Sequence, residues 1–79
     1  MDSTILDKIK VIFSNVLEHS DFNLTESTTT KDVNGWESST HMMIITEVET
    51  EFDIEFELDE LWSMKNVGDL VRIIALKTQ

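Results

Sequence analysis

Apolar residues return every three or four positions in three separate stretches of this chain, the spacing that gathers them on one face of a helix. Ile5, Ile9, Ile12 and Val16 form the first stripe, widened by Leu6, Phe13 and Leu17. Ile44, Ile45, Val48 and Phe52 form the second, and Val67, Leu70, Val71 and Ile74 the last. The pattern predicts a helix from Thr4 to His19, opened by the Ser-Thr pair after Asp2, and another from Ser38 to Phe52. A last helix, capped by Asn66, runs to Lys77, whose cation suits the negative end of the helix dipole. A short helical piece is expected from Asp59 to Ser63, with Leu58, Leu61 and Trp62 as its anchors. Phe52 to Leu58 alternates apolar and acidic residues, but a lone strand has no partner to pair with, so an extended loop is expected. Asp21 to Gly35 forms a long connection rich in Thr and Ser that ends near the turn signal Asn34-Gly35. Phe22, Leu24 and Val33 are expected to pin it to the core, and loops of that length are often functional. The fold class is therefore all-α: a four-helix bundle of three longer helices and one short helix, with a long first loop, forming one domain over residues 1–79.

A chain of 79 residues buries only a modest core. It contains no cysteine, which excludes disulfides and thiolate metal sites, and any thioester chemistry would need a sulfur from outside the sequence. No apolar run approaches the ~18 residues that a membrane span requires. Acids and lysines stand near the start, in MDSTILDKIK, where a signal peptide would carry an apolar stretch, so a cytoplasmic protein without a membrane role is expected. Sixteen acids against six Lys and Arg give a formal net charge of −10. Such a surface repels nucleic acid and attracts basic patches on other proteins. Ten of those acids lie between Lys31 and Lys65 (Asp32, Glu37, Glu47, Glu49, Glu51, Asp53, Glu55, Glu57, Asp59 and Glu60), and no Lys or Arg interrupts them.

The informative stretch begins at Gly35-Trp36-Glu37-Ser38-Ser39-Thr40-His41-Met42 and runs on through Glu49-Thr50-Glu51-Phe52-Asp53-Ile54-Glu55-Phe56. It resembles the acyl carrier protein family around its attachment serine. There an Asp-Ser-Leu triplet opens the second helix, which runs into Glu-x-x-Phe and a short Asp-Ile-Glu-Ile-like turn. Placing Phe52 on the family's phenylalanine puts Ser38 on the modified serine, and Gly35-Trp36 and His41-Met42 agree with that register. Met64-Lys65-Asn66-Val67-Gly68-Asp69-Leu70-Val71 looks like the start of the family's last helix, so the resemblance covers essentially the whole chain. Two positions depart from the pattern. Glu37 replaces the family's Asp, and Ser39 replaces the Leu that is similar in role to a doorstep for partner enzymes.

The resemblance implies a non-catalytic carrier whose Ser38 takes a 4'-phosphopantetheine arm from coenzyme A and holds acyl or aminoacyl groups as thioesters. Fatty-acid, polyketide-like and specialised lipid or secondary pathways all use such carriers. The implied partners are a phosphopantetheinyl transferase, acyl or aminoacyl ligases, and ketoacyl synthases or other acyl-transferring enzymes with basic patches, meeting a monomer. A serine at a helix start after a flexible loop also suits the chemistry on its own terms, because the helix dipole and free N–H groups there favour a phosphodiester. Read alone, such a serine would most often be a helix cap.

Glu37, Glu47, Glu51 and Asp53 are the expected partner-recognition acids, with Ser39, Met42 and Met43 beside them. For the methionine pair, one inward and one outward side chain is expected, Met43 offering an adaptable apolar contact, with both as core fillers the plain alternative. Trp36 and Trp62 are expected to close the ends of the bundle. An attached acyl chain is expected between the helices, near Ile44, Ile45, Val48 and Ile74.

Other chemistries fit less well. Ser38 and His41 are helical neighbours, but two glycines and 79 residues leave little material for an oxyanion hole and a cleft. The acids from Asp53 fail as a calcium loop, whose sixth position would be Leu58 and twelfth Met64. Two histidines, His19 and His41, are too few to define a metal site. The competing reading is an arm-less interaction module that keeps the carrier fold, favoured by Ser39. The concentrated negative charge opposes compaction, so added salt is expected to raise the melting temperature. A melt indifferent to ionic strength would contradict this.

Overall fold

In the computed structural model, which describes residues 2–78, four helices follow one another: α1 (Ser3–Leu17), α2 (Ser38–Phe52), α3 (Leu58–Ser63) and α4 (Val67–Lys77). A 3₁₀ turn, Thr30–Asp32, lies inside the long first loop. No strand occurs among the described residues, and Ile54 to Glu57 runs as an extended loop, as the sequence predicts.

The cap of α1 is Asp2 rather than the Ser-Thr pair, its carboxylate accepting from the N–H groups of Thr4 (2.9 Å) and Ile5 (3.2 Å). The helix buries Ile5, Ile9, Ile12 and Phe13 and stops before His19. Glu18 turns left-handed at φ 61°, and its N–H closes the last turn on the Ser14 carbonyl. The reversal releases His19 for another task. Asp21 N–H donates to its Nδ1, while Nε2 sits 2.6 Å from the Asn34 carbonyl, joining the two ends of the long loop. Phe22 then packs edge-on to Phe13.

Leu24 and Val33 pin the loop to the core, as predicted, with Phe22 packed partly against it. Its Thr-rich tract is structural. Thr28 is buried, its hydroxyl donating to Asn23 O and accepting from Thr25 N–H. The carbonyls of Thr28 and Glu26 accept from Val67 N–H and Gly68 N–H, both at 2.9 Å. The loop thereby satisfies donors in the first turn of α4 that no helical carbonyl can reach. Asn66 caps the same helix through Asp69 N–H at 2.8 Å, the predicted role.

Ile44, Ile45 and Val48 from α2 meet Ile9 and Phe13 from α1 and Val67, Leu70, Val71 and Ile74 from α4 in the core. Helix α3 departs from expectation. Only Leu61 packs against the core, whereas Leu58 and Trp62 are 70% and 80% exposed and anchor nothing. Trp62 therefore does not close an end of the bundle, while Trp36, 6% exposed, does pack inside. Contacts at its ends hold α3 instead. Glu57 N–H donates to the Glu60 carboxylate, which also pairs with Lys77 of α4 at 2.9 Å. The Glu57 N–H first, and Lys77 after it, hold the Glu60 carboxyl below its usual range.

Gly68 is where the loop and α4 come closest. A Cβ there would lie 2.9 Å from the Glu26 carbonyl oxygen, a backbone atom with little freedom to move. In an open helix, Gly→Ala stabilises by about 1 kcal/mol. Here Gly68→Ala is expected to destabilise by about 1–3 kcal/mol through overpacking. A denaturant titration checks the sign, and a more stable variant would show that the loop does not press on α4.

Candidate functional site

Ser38 is the first helical residue of α2, and the residue in the cap position is Glu37, in extended backbone geometry at φ −139°. The serine is exposed, and among the described residues its hydroxyl makes no hydrogen bond. A role as a cap therefore does not account for it. Ser39 is likewise exposed and its hydroxyl free. Thr40 differs. Its hydroxyl donates to the Gly35 carbonyl at 2.6 Å and accepts from Glu37 N–H at 2.9 Å, locking the loop's end to the helix's first turn. Gly35 takes the left-handed conformation, φ 88°, that the predicted Asn34-Gly35 turn needs.

Trp36 fixes the other side. Its buried ring lies edge-on to Phe13, with centroids 4.9 Å apart. Its Nε1–H donates to Nδ1 of His41 at 3.1 Å. An acceptor Nδ1 requires that nitrogen to be unprotonated, and burial pushes the His41 pKa below its ordinary value of 6.5. Nδ1 of His41 is thus taken by Trp36, and among the described residues no hydrogen bond joins His41 to Ser38.

Ser38 opens onto two grooves. One, of about 310 Å³, is lined by Ser38, His41, Met42, Leu58, Leu61 and Trp62, between α2 and α3. The other adjoins Trp36, Glu37, Met64 and Lys65. Met42 lies one turn beyond Ser38 on the same flank of α2. Neither methionine turns inward, Met42 being 51% and Met43 54% exposed. This corrects both expectations for the pair: Ile44, Ile45 and Val48 fill the inward stripe, and the methionines fall outside it.

The expected recognition acids are all exposed but do not form one patch with Ser38. Glu37 lies beside it. Glu47 and Glu51 face the opposite flank, sharing a groove with Lys8, Val11 and Asn15 of α1, and Glu51 pairs with Lys8 at 3.7 Å. Asp53 ends the helix in a left-handed turn, φ 55°, beside Ile54 and Glu55. The sequence reading missed Leu58, Leu61 and Trp62 as neighbours of Ser38. Their only signal was an aromatic residue four places after a leucine in an otherwise acidic segment. Among the described residues no cluster of His, Cys, Asp or Glu could hold a metal, and no helix is long and apolar enough to cross a membrane.

No family model and no curated protein matches the chain significantly. A solved structure does. The chain is similar to the holo acyl carrier protein of Geobacter metallireducens, determined by solution NMR, with a TM-score of 0.85 and 37% sequence identity. The match covers 92% of this chain and 84% of that one. The chain belongs to the acyl carrier protein family. The all-α order of elements is that of the family, and as an acyl carrier protein its broad role is that of a carrier.

Because folding lowers the His41 pKa, the unfolded chain holds the extra proton between the folded value and 6.5. Stability must rise with pH in that window. The His41 contribution is complete above pH 6.5 and is lost as pH falls toward the lower folded value. Melts of wild type and His41→Asn from about pH 7.5 to 5 are expected to converge at the acid end, since the amide keeps an acceptor but does not titrate in that range. A constant difference between them would remove His41 as the titrating group.

Proposed function

We propose that this acyl carrier protein carries acyl or aminoacyl groups as thioesters on a 4'-phosphopantetheine arm attached to Ser38. The observation that carries the reading is the free, exposed Ser38 hydroxyl on the first turn of α2, held between Thr40–Gly35 on one side and Trp36–His41 on the other. A serine on a rigid base with no structural partner suits modification, since a bulky group added there breaks no contact. The first N–H groups of α2 and its dipole favour the negative charge of a phosphodiester. When bound, the arm supplies the terminal thiol that a cysteine-free chain lacks.

In loading, Ser38 Oγ attacks the β-phosphorus of coenzyme A. The Oγ–P bond forms, the bond to the bridging pyrophosphate oxygen breaks, and adenosine 3',5'-bisphosphate leaves while the hydroxyl proton passes to a base on the transferase. The carrier itself is non-catalytic on this reading. It acts as one domain and a monomer in the cytoplasm, meeting a phosphopantetheinyl transferase, acyl or aminoacyl ligases and ketoacyl synthases through basic patches. Fatty-acid, polyketide-like and specialised lipid or secondary pathways all fit this chemistry. Glu37, Glu47, Glu51 and Asp53 raise encounter rates with such partners more than they add affinity. Ser39, Met42 and Met43 complete the contact surface.

One observation favours a second reading. Ser39, where the family carries Leu, leaves the doorstep beside Ser38 polar and exposed, as an arm-less interaction module with the same fold would allow. Incubation with coenzyme A and a broad-specificity transferase, followed by intact mass and peptide mapping, separates the two. A gain of one phosphopantetheine on the Ser38 peptide is expected, abolished by Ser38→Ala and retained by Ser39→Ala. A gain that survives Ser38→Ala, or moves to Ser39, would overturn the site. No gain with several transferases would favour the arm-less module.

A further inference from the structure

Four consecutive residues lead into Ser38, and each carries a bond to a side chain outside the segment. His19 Nε2–H donates to the Asn34 carbonyl and the Thr40 hydroxyl to the Gly35 carbonyl, both at 2.6 Å. The Trp36 indole donates to His41 Nδ1 at 3.1 Å, and the Glu37 N–H to Thr40 Oγ1 at 2.9 Å. Ser38 follows with an exposed side chain that takes no part in these contacts. The backbone held by the four bonds is therefore what aims its hydroxyl.

The bonds differ in what undoes them. The Thr40 hydroxyl does not change charge at ordinary pH. His19 keeps its Nε2–H for Asn34 even when its other nitrogen takes a proton. His41 cannot do the same. Its Nδ1 accepts from an indole N–H that only donates, so a proton on Nδ1 sets two donors against each other. Either the imidazole then turns away, or the indole leaves its seat on Phe13.

We propose that His41 is an acid-sensitive positioning residue for the loading of Ser38, its unprotonated Nδ1 keeping Trp36 seated and so fixing the backbone that aims the serine. The inference rests on Ser38 being the attachment site and adds a control over its use. Group transfer to a hydroxyl depends on placement, and about 1 Å of error can cost on the order of 100-fold in rate.

The surroundings of His41 leave its protonation to this one bond. It meets Leu61 and Trp62 of α3, and Phe13 of α1 backs Trp36, none of them charged. Leu70 of α4 is uncharged as well. Glu37 at the cap position and Lys65 in the α3–α4 link border the same groove, and among the described residues neither forms an ion pair with it. Burial pushes the His41 pKa down, so the closed segment resists the proton and an open one takes it more readily. The ratio of open to closed thus rises as pH falls from 6.5 toward the lower closed value, by up to about tenfold per pH unit.

The test times loading of the full-length chain from coenzyme A by the same transferase, read by intact mass from about pH 7.5 to 5.5. Wild type is compared with His41→Asn, whose amide oxygen accepts without titrating, and with Trp36→Phe, which keeps a ring on Phe13 but removes the donor. Ratios taken at each pH cancel the transferase's own titration. Wild type is expected to lose loading severalfold relative to His41→Asn as pH falls, in kcat more than in KM for the carrier. The ratio of Trp36→Phe to His41→Asn is expected to stay flat. In NMR of unmodified wild type, the Trp36 indole N–H and the amides of residues 34–38 are expected to move with one midpoint, while those of Val48 and Ile74 stay in place. No mass gain at any pH would overturn the Ser38 reading together with this one. Loading with a constant ratio of wild type to His41→Asn would overturn the positioning role alone. So would Val48 and Ile74 moving with the segment, since acid would then be unfolding the whole carrier.

Discussion

The hydrogen bond from the Trp36 indole to His41 Nδ1, together with the packing of that indole on Phe13, ties the end of the long loop and the start of α2 to α1. Trp36 ends the long loop, its ring packs edge-on to Phe13 of α1, and His41 stands in the first turns of α2. A buried indole N–H without an acceptor costs about 1–3 kcal/mol, so the pairing also determines which way the imidazole must face. Ser38 lies between the two partners in sequence. Its backbone is held from both sides, by Trp36–His41 and by the Thr40 hydroxyl on Gly35, while its own side chain carries no structural duty. A carrier needs this division, because the attachment point must stay put while the attached group moves.

The rest of the long first loop serves the same end. Its carbonyls at Glu26 and Thr28 receive the first N–H groups of α4, and its ends are joined through His19. Gly68 permits the contact by leaving room where a side chain would strike the loop backbone. Helix α4 is then fixed at its start by the loop, and Lys77 in its last turn holds α3 through Glu60. The chain of contacts places the short helix beside Ser38 with little core burial of its own. It also leaves Leu58 and Trp62 in solvent.

The three longer helices were legible because each buries a stripe that repeats at the helical period, and α2 begins and ends where the pattern says. Ser38, the residue proposed for attachment, stands out in the sequence through its neighbours, Gly35-Trp36 before it and His41-Met42 after it. The failures have physical causes. A helix of six residues shows too little of its period to reveal which side faces inward, so the pattern offers Leu58 and Trp62 as anchors when only Leu61 is one. The sequence places the end of α1 late because Glu18, a residue with no special preference for positive φ, adopts it, and the chain then turns Phe22 onto Phe13. The Thr tract gives little signal in sequence because its roles are tertiary: Thr28 is buried and offers its carbonyl to α4. The Trp36–His41 bond needed a turn geometry that residue spacing alone does not supply.

The arrangement of acids along α2 was within reach of the sequence, and it bears on how such a carrier can work. Glu47 is nine residues after Ser38, and Glu51 nine after Met42, about two and a half turns in each case. Both acids must therefore face away from the flank that holds the serine and the methionine. The structure places them against α1, where Lys8 partly neutralises Glu51. A net charge of −10 thus coexists with a strip beside Ser38 that Met42, Leu58, Leu61 and Trp62 line without a carboxylate. Long-range attraction needs only the net field of the surface, which exposed acids supply from any flank. Close contact with an apolar group needs the opposite, a place without fixed charge, since carboxylates near a methylene chain would hold water there. Apart from Glu37 beside Ser38, the structure meets the two demands on different flanks of one helix, Glu47 and Glu51 on one and the apolar strip on the other.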